Sequence, residues 1–342
     1  PLARWTVAAI LLFAVLVFPF LANDYWLGAI AVPFLIWVIA ALGLNLLTGY
    51  CGQISIGHAA FMAVGAYTAV ILSSNFGWPF WAAVIAGGLN TALVGAFFGI
   101  PSLRIKGFYL AVSTLAAQFI IPWVINRAVP YIGGATGALV SAVGASLYAP
   151  TPAVAGWVID TQVEKYYVVL ALTVLLTLAA MNLVRSRVGR AWMAIRDRDI
   201  AAEIIGVNIF RYKLLAFAVS SFYAGVAGAL SSFLYYGIAN YEQFTLTVSI
   251  QVLAMVIIGG LGSTLGSYLG AAFVFFLPIF LNRSLPLLGD LFGRTVSTAF
   301  IVQTELAVFG GLIILFLIVE PFGLAKLWGN IKNYFRLWPF SY

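Results

Sequence analysis

The sequence predicts an all-α, polytopic membrane protein with about ten transmembrane helices. Of its 342 residues, 63% are hydrophobic and only 8% are charged, and the mean hydropathy is +1.07. A soluble domain carries about 25% charged residues, so this surface cannot face water on all sides. Uncharged stretches reach the roughly 20 residues that a helix needs to cross the hydrocarbon core. The alternation over about ten residues that marks a membrane-spanning strand is absent from the sequence.

Ten charge-poor segments are predicted to cross the membrane. Trp and Tyr stand at many of their ends, as in the aromatic belts of membrane–water interfaces. The first segment follows Arg4 and is long enough to be a span rather than a cleaved signal sequence. The segments run Trp5–Ala22, Tyr25–Thr48, Gly57–Phe76, Trp78–Ile100, Phe108–Asn126, Tyr166–Val184, Leu214–Tyr236, Phe244–Ile258, Leu265–Leu281 and Phe300–Val319.

The basic residues predict the orientation of these spans. With ten spans and a cytoplasmic N terminus, 13 Lys and Arg residues fall on the cytoplasmic side and 4 on the outer side. Cytoplasmic loops are enriched in Lys and Arg, so both termini are predicted to be cytoplasmic. The net charge of +7 then arises from loops beside the membrane and does not indicate nucleic acid. We expect one membrane domain over residues 1–342, with a long outer connection at 127–165 and a cytoplasmic segment at 185–213.

Two glycine-rich segments interrupt the pattern of spans, and we call Gly49–Gly57 the first glycine segment and Gly259–Gly266 the second. Glycine costs about 1 kcal/mol relative to alanine within a helix. Non-helical backbone at membrane depth is tolerated only where protein covers it or where it lines a cavity. Paired interruptions point to a substrate pathway, whereas the alternative is tight turns with close helix packing. The candidate pathway residues are Ser55, Gly57, His58, Gln118, Gln251, Gly259, Gly260 and Ser263.

His58 has two interpretations. It is either a residue of the pathway or of a switch, or a histidine at the start of a helix that bonds to neighbouring backbone. The chain otherwise has few groups for chemistry, because it contains one His, one Cys and no cluster of acids. The sequence therefore predicts neither a metal site nor an enzyme.

The chain also lacks the groups for powering transport by itself. Of its 10 acidic residues, Glu305 alone is predicted to fall within a span, so little is available for coupling to protons or sodium. None of the lysines is followed by Ser or Thr, which excludes a phosphate-binding loop for ATP. If this protein moves a solute uphill, the energy comes from another chain.

The cytoplasmic segment 185–213 offers a place for such a partner. Asp199 is predicted to be the N-cap of a short helix, Ile200–Ile205, and Gly206 suits the left-handed residue after its end. With its isoleucines partly exposed, such a helix fits a groove in a partner protein. A basic loop that contacts anionic lipid explains the charge equally well, and the residues alone leave both possibilities open.

Several motifs resemble those of one transporter family. The second half contains Arg-Ser-Arg-Val-Gly-Arg-Ala (185–191), Ala-Ala-Glu-Ile-Ile-Gly-Val-Asn (201–208) and Ile-Gly-Gly-Leu-Gly-Ser (258–263). The first half contains Gly-Gln-Ile-Ser-Ile-Gly-His-Ala-Ala-Phe (52–61) and Lys-Gly-Phe-Tyr-Leu-Ala-Val-Ser-Thr-Leu (106–115). With these motifs in the same order along nearly the whole chain, it resembles the LivM-type branched-chain amino acid ABC importer permeases. The sequence Ile-Gly-Gly-Ala-Thr-Gly (132–137) departs from the family's Thr-Gly-Gly-x-x-Gly.

The resemblance implies a transmembrane permease subunit of the bacterial inner membrane that forms half of a translocation pathway. It implies that the short cytoplasmic helix docks on an ATPase subunit. It further implies a homologous second permease, two ATP-binding subunits that use ATP and Mg²⁺, and an extracytoplasmic substrate-binding protein, with no cofactor on this chain. It does not fix the substrate, because related permeases carry urea, short amides, other amino acids or aromatic acids. The residues implied in coupling are Asp199, Ala201, Ala202, Glu203 and Gly206.

Two other classes of function stay open at this point. A secondary transporter or channel would work without ATPase partners, and a membrane scaffold would carry no solute. The scarcity of acids within the spans and the docking segment argue against the first class. The glycine segments argue against the second.

Overall fold

The computed structural model describes residues 14–15, 18–103, 109–132, 146–154, 157–291, 298–319 and 323–337. In this part of the chain, seven helices are long and apolar enough to cross a membrane, which confirms a helical, multi-pass membrane protein. The count of ten spans and the sidedness stay predictions. Most of the first predicted span lies outside the described residues, apart from a helical turn at Phe18–Leu21.

We number the main helices of the described residues along the chain. They are α1 Trp26–Tyr50, α2 His58–Phe76, α3 Phe80–Leu103, α4 Tyr109–Ile132, α5 Gln162–Arg185, α6 Arg187–Asp197, α7 Asp199–Ile204, α8 Ile209–Tyr236, α9 Leu246–Gly259, α10 Thr264–Leu291, α11 Thr298–Val319 and α12 Gly323–Leu337. The seven candidate spans are α1, α2, α3, α5, α8, α9 with the turn before it, and α10.

Several helices extend beyond the predicted spans. Helix α8 begins five residues before the predicted Leu214, because the Asn208 side chain caps it by accepting from the Arg211 N–H at 3.0 Å. Helix α10 continues past the predicted Leu281 to Leu291 with two prolines inside it. Hydrophobicity marks the part of a helix that suits lipid, whereas capping and hydrogen bonding determine where the helix ends.

Helices α1 and α8 form the centre of the molecule. In their apolar stretches 78% and 72% of residues are buried, against 28% in α5 and α10. Helix α1 contacts α5, α8, α9 and α10. Both ends of α1 contain a π-helical turn, at Trp26–Ala31 and Leu46–Tyr50, and the second turn leads into the first glycine segment.

Small residues bring α2, α3 and α8 into close contact. A Cβ on Gly65 of α2 would overlap the backbone of Gly225 on α8, and a Cβ on Gly225 would overlap the Thr91 side chain on α3. In a membrane, apolar surfaces gain little from association, so close backbone approach of this kind is a main source of packing energy.

The described residues also contain four two-residue strands outside the helices. Strands β1 (Leu147–Tyr148) and β4 (Ile238–Ala239) pair antiparallel, with Leu147 opposite Ala239. Strands β2 (Ala153–Val154) and β3 (Trp157–Val158) form a second antiparallel pair. The first pair ties the predicted outer connection to the end of α8. Residues 133–145, which include all of the altered Ile-Gly-Gly-Ala-Thr-Gly motif except Ile132, lie outside the described residues.

Candidate coupling surface and membrane pathway

The predicted left-handed glycine, Gly206, follows the end of α7, but the helix runs Asp199–Ile204 instead of the predicted Ile200–Ile205. Asp199 was expected to be its N-cap, and this is wrong, because Asp199 is the first helical residue and Arg198 is the flanking one. Helix α6 ends at Asp197, so the single residue Arg198 adopts the extended conformation that separates the two helices. The Asp199 carboxylate instead accepts from the Ile200 N–H at 2.9 Å and lies 3.9 Å from the Lys213 ammonium of α8.

The end of α7 is a Schellman motif. The Val207 N–H donates to the Ala202 carbonyl and the Gly206 N–H donates to the Glu203 carbonyl, both at 3.0 Å. Gly206 has φ +89°, the left-handed conformation that favours glycine. These two bonds satisfy carbonyls that a helix end would otherwise leave unpaired.

Helix α7 presents apolar side chains outward. Ile200, Ile204 and Ile205 are 69%, 81% and 74% exposed, whereas Ala202 is buried. Ala201 and Glu203 lie on the exposed side as well. Large aliphatic side chains exposed together on a short helix are typical of a surface that a partner covers.

Helix α6 supports α7 from the side of the membrane domain. Its Trp192 is fully buried, and the indole N–H donates to the Tyr212 carbonyl of α8 at 2.8 Å. A Cβ on Gly189 would overlap the Val184 carbonyl at the end of α5. The pair α6–α7 is therefore fixed to two long helices, α5 and α8.

The first glycine segment is non-helical over residues 52–57. A Cβ on Gly57 would overlap the Thr114 carbonyl of α4, so this position needs glycine for close packing. The His58 Nε2 lies 3.1 Å from the Ala40 carbonyl of α1, and the ring is buried. Both observations fit the packing interpretation of these residues.

The start of α2 is capped by residues of two other helices. The Gln118 Oε1 on α4 accepts from the Ala60 N–H at 3.0 Å and from the Ser249 hydroxyl at 2.8 Å. The Ser249 oxygen in turn accepts from the Ala59 N–H at 2.8 Å, and the Gln118 Nε2 donates to the Phe244 carbonyl at 2.8 Å. Gln118 and Ser249 are buried, so this network joins α2, α4 and α9 in the interior.

The second glycine segment interrupts the chain between α9 and α10. Gly260 has φ +117°, and a Cβ on Gly259 would overlap the Gly266 carbonyl. The Ser263 hydroxyl accepts from the Gly266 N–H at 3.1 Å, as an N-cap does. A Cβ on Gly323 at the start of α12 would lie 2.5 Å from the Gly260 backbone, so α12 begins against this segment.

Asn45 of α1 holds the second glycine segment against the end of α1. Its Oδ1 accepts from the Gly262 N–H at 2.9 Å, and its Nδ2 donates to the Ser263 carbonyl at 2.8 Å and to the Ser267 hydroxyl at 2.9 Å. A Cβ on Gly49 would overlap the Gly262 nitrogen. The start of the first glycine segment therefore contacts the middle of the second, although more than 200 residues separate Gly49 from Gly262.

Of the candidate pathway residues, Gln251 lines a cavity. With Trp37, Tyr235 and Met255 it lines a cavity of about 310 Å³ between α1, α8, α9 and α10. Within the described residues no hydrogen-bond partner is recorded for its amide. Among the described residues, neither the buried Ser55 hydroxyl nor the buried Gln53 amide has a hydrogen-bond partner, and Gln53 was not among the predicted pathway residues.

Sequence reasoning also missed Asn45, Ser249, Thr114 and Arg196. The first three are polar residues within apolar spans, and that contrast is a usable signal in a sequence. Thr114 accepts from the Ile56 N–H at 3.0 Å and so supports the first glycine segment. Arg196 donates to the Gly49 carbonyl at 3.0 Å, a contact that nothing in the local sequence indicates.

Comparison with known proteins identifies the family. Residues 27–317 match the family described as "Branched-chain amino acid transport system / permease component". The chain is 32% identical over 317 residues to the high-affinity branched-chain amino acid transport system permease protein LivM of Escherichia coli, over 87% of this chain and 69% of the relative. LivM of Salmonella typhimurium matches with the same identity and coverage.

A more distant relative comes from Methanocaldococcus jannaschii. Its probable branched-chain amino acid transport permease protein LivM is 24% identical over 247 residues, which covers 71% of this chain and 67% of the relative. No solved structure is significantly similar to the chain. The match over residues 27–317 and the 32% identity show that the chain belongs to the family of branched-chain amino acid transport system permease components.

Proposed function

We propose that this chain is the transmembrane permease subunit of an ATP-driven importer of branched-chain amino acids and forms half of its translocation pathway. A homologous second permease supplies the other half. Two ATP-binding subunits use ATP and Mg²⁺, and an extracytoplasmic binding protein delivers the substrate. The names of the LivM relatives support the substrate class.

The exposed isoleucines of α7 are the observation that carries this proposal. Ile200, Ile204 and Ile205 are the three most exposed large apolar residues of the segment 185–213. Helix α7 lies outside the candidate spans. A groove in an ATP-binding subunit would bury these side chains, and about 25 cal/mol is gained per Å² of apolar surface removed from water. The chain has no ATP-binding loop of its own, so a docking partner is required for active transport.

The proposed location is the bacterial inner membrane with both termini in the cytoplasm. The distribution of 13 basic residues against 4 supports this orientation. It places α6 and α7 on the side where ATP is available.

Reconstitution of the complete transporter in proteoliposomes tests the function. We expect uptake of leucine, isoleucine or valine that requires ATP, the ATP-binding subunits and the loaded binding protein. Urea, short amides and aromatic acids serve as competing solutes, and preferential uptake of one of them would replace the proposed substrate. Uptake without ATP and without the partner subunits would contradict an ATP-driven permease and favour a secondary transporter or channel.

Substitutions on α7 test the docking surface itself. The double variant Ile200→Asp with Ile204→Asp should lose co-purification with the ATP-binding subunits and reduce ATP-driven uptake at least tenfold. The control is Ile200→Leu with Ile204→Leu, which keeps an apolar surface of the same volume and should behave like the native chain. Equal co-purification of the two double variants would show that α7 is not the docking surface.

A further inference from the structure

Glycines of both glycine segments surround the side chain of Arg196 and leave a slot that it occupies. Arg196, in the last turn of α6, donates from Nη1 to the Gly49 carbonyl at 3.0 Å. Its stem crosses Gly52, where a Cβ would lie 3.1 Å from the Arg196 Cγ. A Cβ on Gly262 would lie 2.9 Å from the same Nη1. Any side chain at Gly52 or Gly262 would therefore press on the arginine.

Arg196 is held in this slot from two sides. The neighbouring Asp197 carboxylate lies 3.0 Å from Nη2 and accepts from Nε at 3.1 Å. Gly52 and Gly262 have φ of +72° and +75°, the left-handed conformation that permits the tight path of both segments around the guanidinium. The arginine is thus the point at which α6 meets both interruptions of the membrane helices.

The position of Arg196 relates it to the docking surface. One residue, Arg198, separates α6 from α7, and Trp192 anchors the other part of α6 on α8. A displacement of α7 relative to α8 must change the position of the last turn of α6, where Arg196 lies. Gly49 is the first residue of the first glycine segment and lies in the π-helical turn Leu46–Tyr50, so its carbonyl moves with that segment.

We propose that Arg196 is the positioning residue that transmits movement of α7 to both glycine segments during transport. This inference rests on the proposed function, because α7 moves only if an ATP-binding subunit docks on it. The side chain is 38% exposed, so its hydrogen bond is weak enough to break and form again in each transport cycle. The glycine segments, in turn, are the parts of the membrane helices that can change conformation at small cost.

The complete reconstituted transporter tests this proposal with Arg196→Met and the control Arg187→Met. Both variants remove one positive charge from α6, and Arg187 is exposed with no recorded contact to either glycine segment. We expect Arg196→Met to assemble with the ATP-binding subunits and to keep basal ATP hydrolysis within twofold of the native level. Uptake should fall at least tenfold, and the loaded binding protein should no longer stimulate hydrolysis. Arg187→Met should match the native chain, and equal uptake and stimulation by the two variants would overturn the proposal.

Hydrogen exchange provides a readout of transmission that a purely structural role would not change. The Gly52 and Gln53 amides donate to the Thr48 and Leu47 carbonyls at 3.2 and 3.1 Å and report on the first glycine segment. In the native transporter, ATP binding should change exchange both in α7 and at these amides. In Arg196→Met the response of α7 should persist while that of residues 46–53 is lost. A persistent response at residues 46–53 would overturn the proposal.

Two replacement variants and one measurement on the native transporter separate a failure of assembly from a failure of transmission. If Arg196→Met does not assemble, Arg196→Lys and Arg196→Gln replace it. If Arg196→Lys keeps the exchange response of residues 46–53 and Arg196→Gln loses it, the charged contact of residue 196 transmits the movement. Equal responses of the two variants overturn the proposal. Absence of any response of α7 to ATP in the native transporter would instead refute the proposed function itself, which separates that failure from failure of the link.

Discussion

Two glutamines on predicted membrane spans have opposite surroundings. Gln118 on α4 is buried, and both ends of its amide are hydrogen-bonded. Gln251 on α9 lines the cavity of about 310 Å³ and has no recorded partner in the described part of the chain. Polar groups within a bilayer are costly unless they are paired or face water or solute. We therefore expect Gln118 to hold the helices together and Gln251 to contact the transported solute.

The same substitution at both positions tests this distinction. Gln118→Met leaves the Ala60 N–H, the Phe244 carbonyl and the Ser249 hydroxyl without this partner, and each buried unpaired group costs about 1–3 kcal/mol. We expect the free energy of unfolding to fall by about 3 kcal/mol or more, seen as a lower midpoint of thermal unfolding in detergent.

Gln251→Met is the matched variant, because it makes the same substitution at an amide that has no hydrogen-bond partner in the described part of the chain. Its unfolding midpoint should stay at or above the native value, while the maximal rate of uptake decreases. Equal loss of stability in the two variants would show that Gln251 has a structural partner. Native uptake in Gln251→Met would remove this residue from the pathway.

At the residue scale, the sequence predicted where the helices are interrupted better than it predicted which residues contact one another there. The glycine segments were recognisable because glycine is unfavourable within helices, and the helices are interrupted there as predicted, over residues 52–57 and 260–263. Gly57 and Gly259, however, contact backbone of other helices, and Ser263 caps α10. Asn45 bonds to residues more than 200 positions away. Such pairings depend on how the helices pack, and periodicity along one helix does not encode that.

At the scale of elements, α7 is stable only because of its surroundings. A helix of six residues is far below the length that is stable alone in water. It is held by the Schellman bonds at its end, by the burial of Ala202 and by the 3.9 Å contact between Asp199 and Lys213. The sequence predicted the end of this helix because Gly206 is a local signal. The first residue of α7 depends on where α6 ends, and the residues of α7 alone do not determine that.

The residue at position 206 should control the order of α7. A Cβ there would contact nothing within 4 Å, so only the φ of +89° opposes a larger residue. Gly206→Val should cost about 1–3 kcal/mol of local stability, because a β-branched residue is strained in this conformation. We expect exchange of the Val207 amide, which donates to the Ala202 carbonyl, to be about tenfold faster for each 1.4 kcal/mol lost. ATP-driven uptake should decrease as α7 loses stability.

Gly206→Asn is the control for this prediction, since asparagine tolerates the left-handed conformation better than other residues with a Cβ. It should keep slow exchange at Val207 and most of the uptake. If the valine and asparagine variants have the same exchange rate, backbone strain at position 206 does not determine the stability of α7.

At the scale of the whole molecule, the long helices fix which connections share a side of the membrane. One long helix, α5, separates the strands β2 and β3 from α7. Four long helices, α8 to α11, separate α7 from α12. If each crosses the membrane, α7 and α12 lie on one side and the strands on the other. This relation does not depend on the first predicted span, most of which lies outside the described residues.

Single cysteines placed at three exposed positions test this arrangement. Thr151 lies between β1 and β2, Glu203 on α7 and Asn333 on α12, and all three are exposed. The chain has one native cysteine, the buried Cys51, so Cys51→Ala provides a background without thiols. In intact cells, a membrane-impermeant maleimide should label Thr151→Cys and neither of the other two. After permeabilisation it should label all three.

Each contrary pattern identifies the part of the arrangement that is wrong. Labelling of Glu203→Cys and Asn333→Cys alone in intact cells would invert the orientation and contradict the distribution of basic residues. Opposite labelling of Glu203→Cys and Asn333→Cys would mean that an odd number of the helices α8 to α11 crosses the membrane. Labelling of Thr151→Cys and Glu203→Cys on the same side would mean that α5 does not cross. Opposite labelling of Glu203→Cys and Asn333→Cys would also place α7 and α12 beyond the reach of the same cytoplasmic partner.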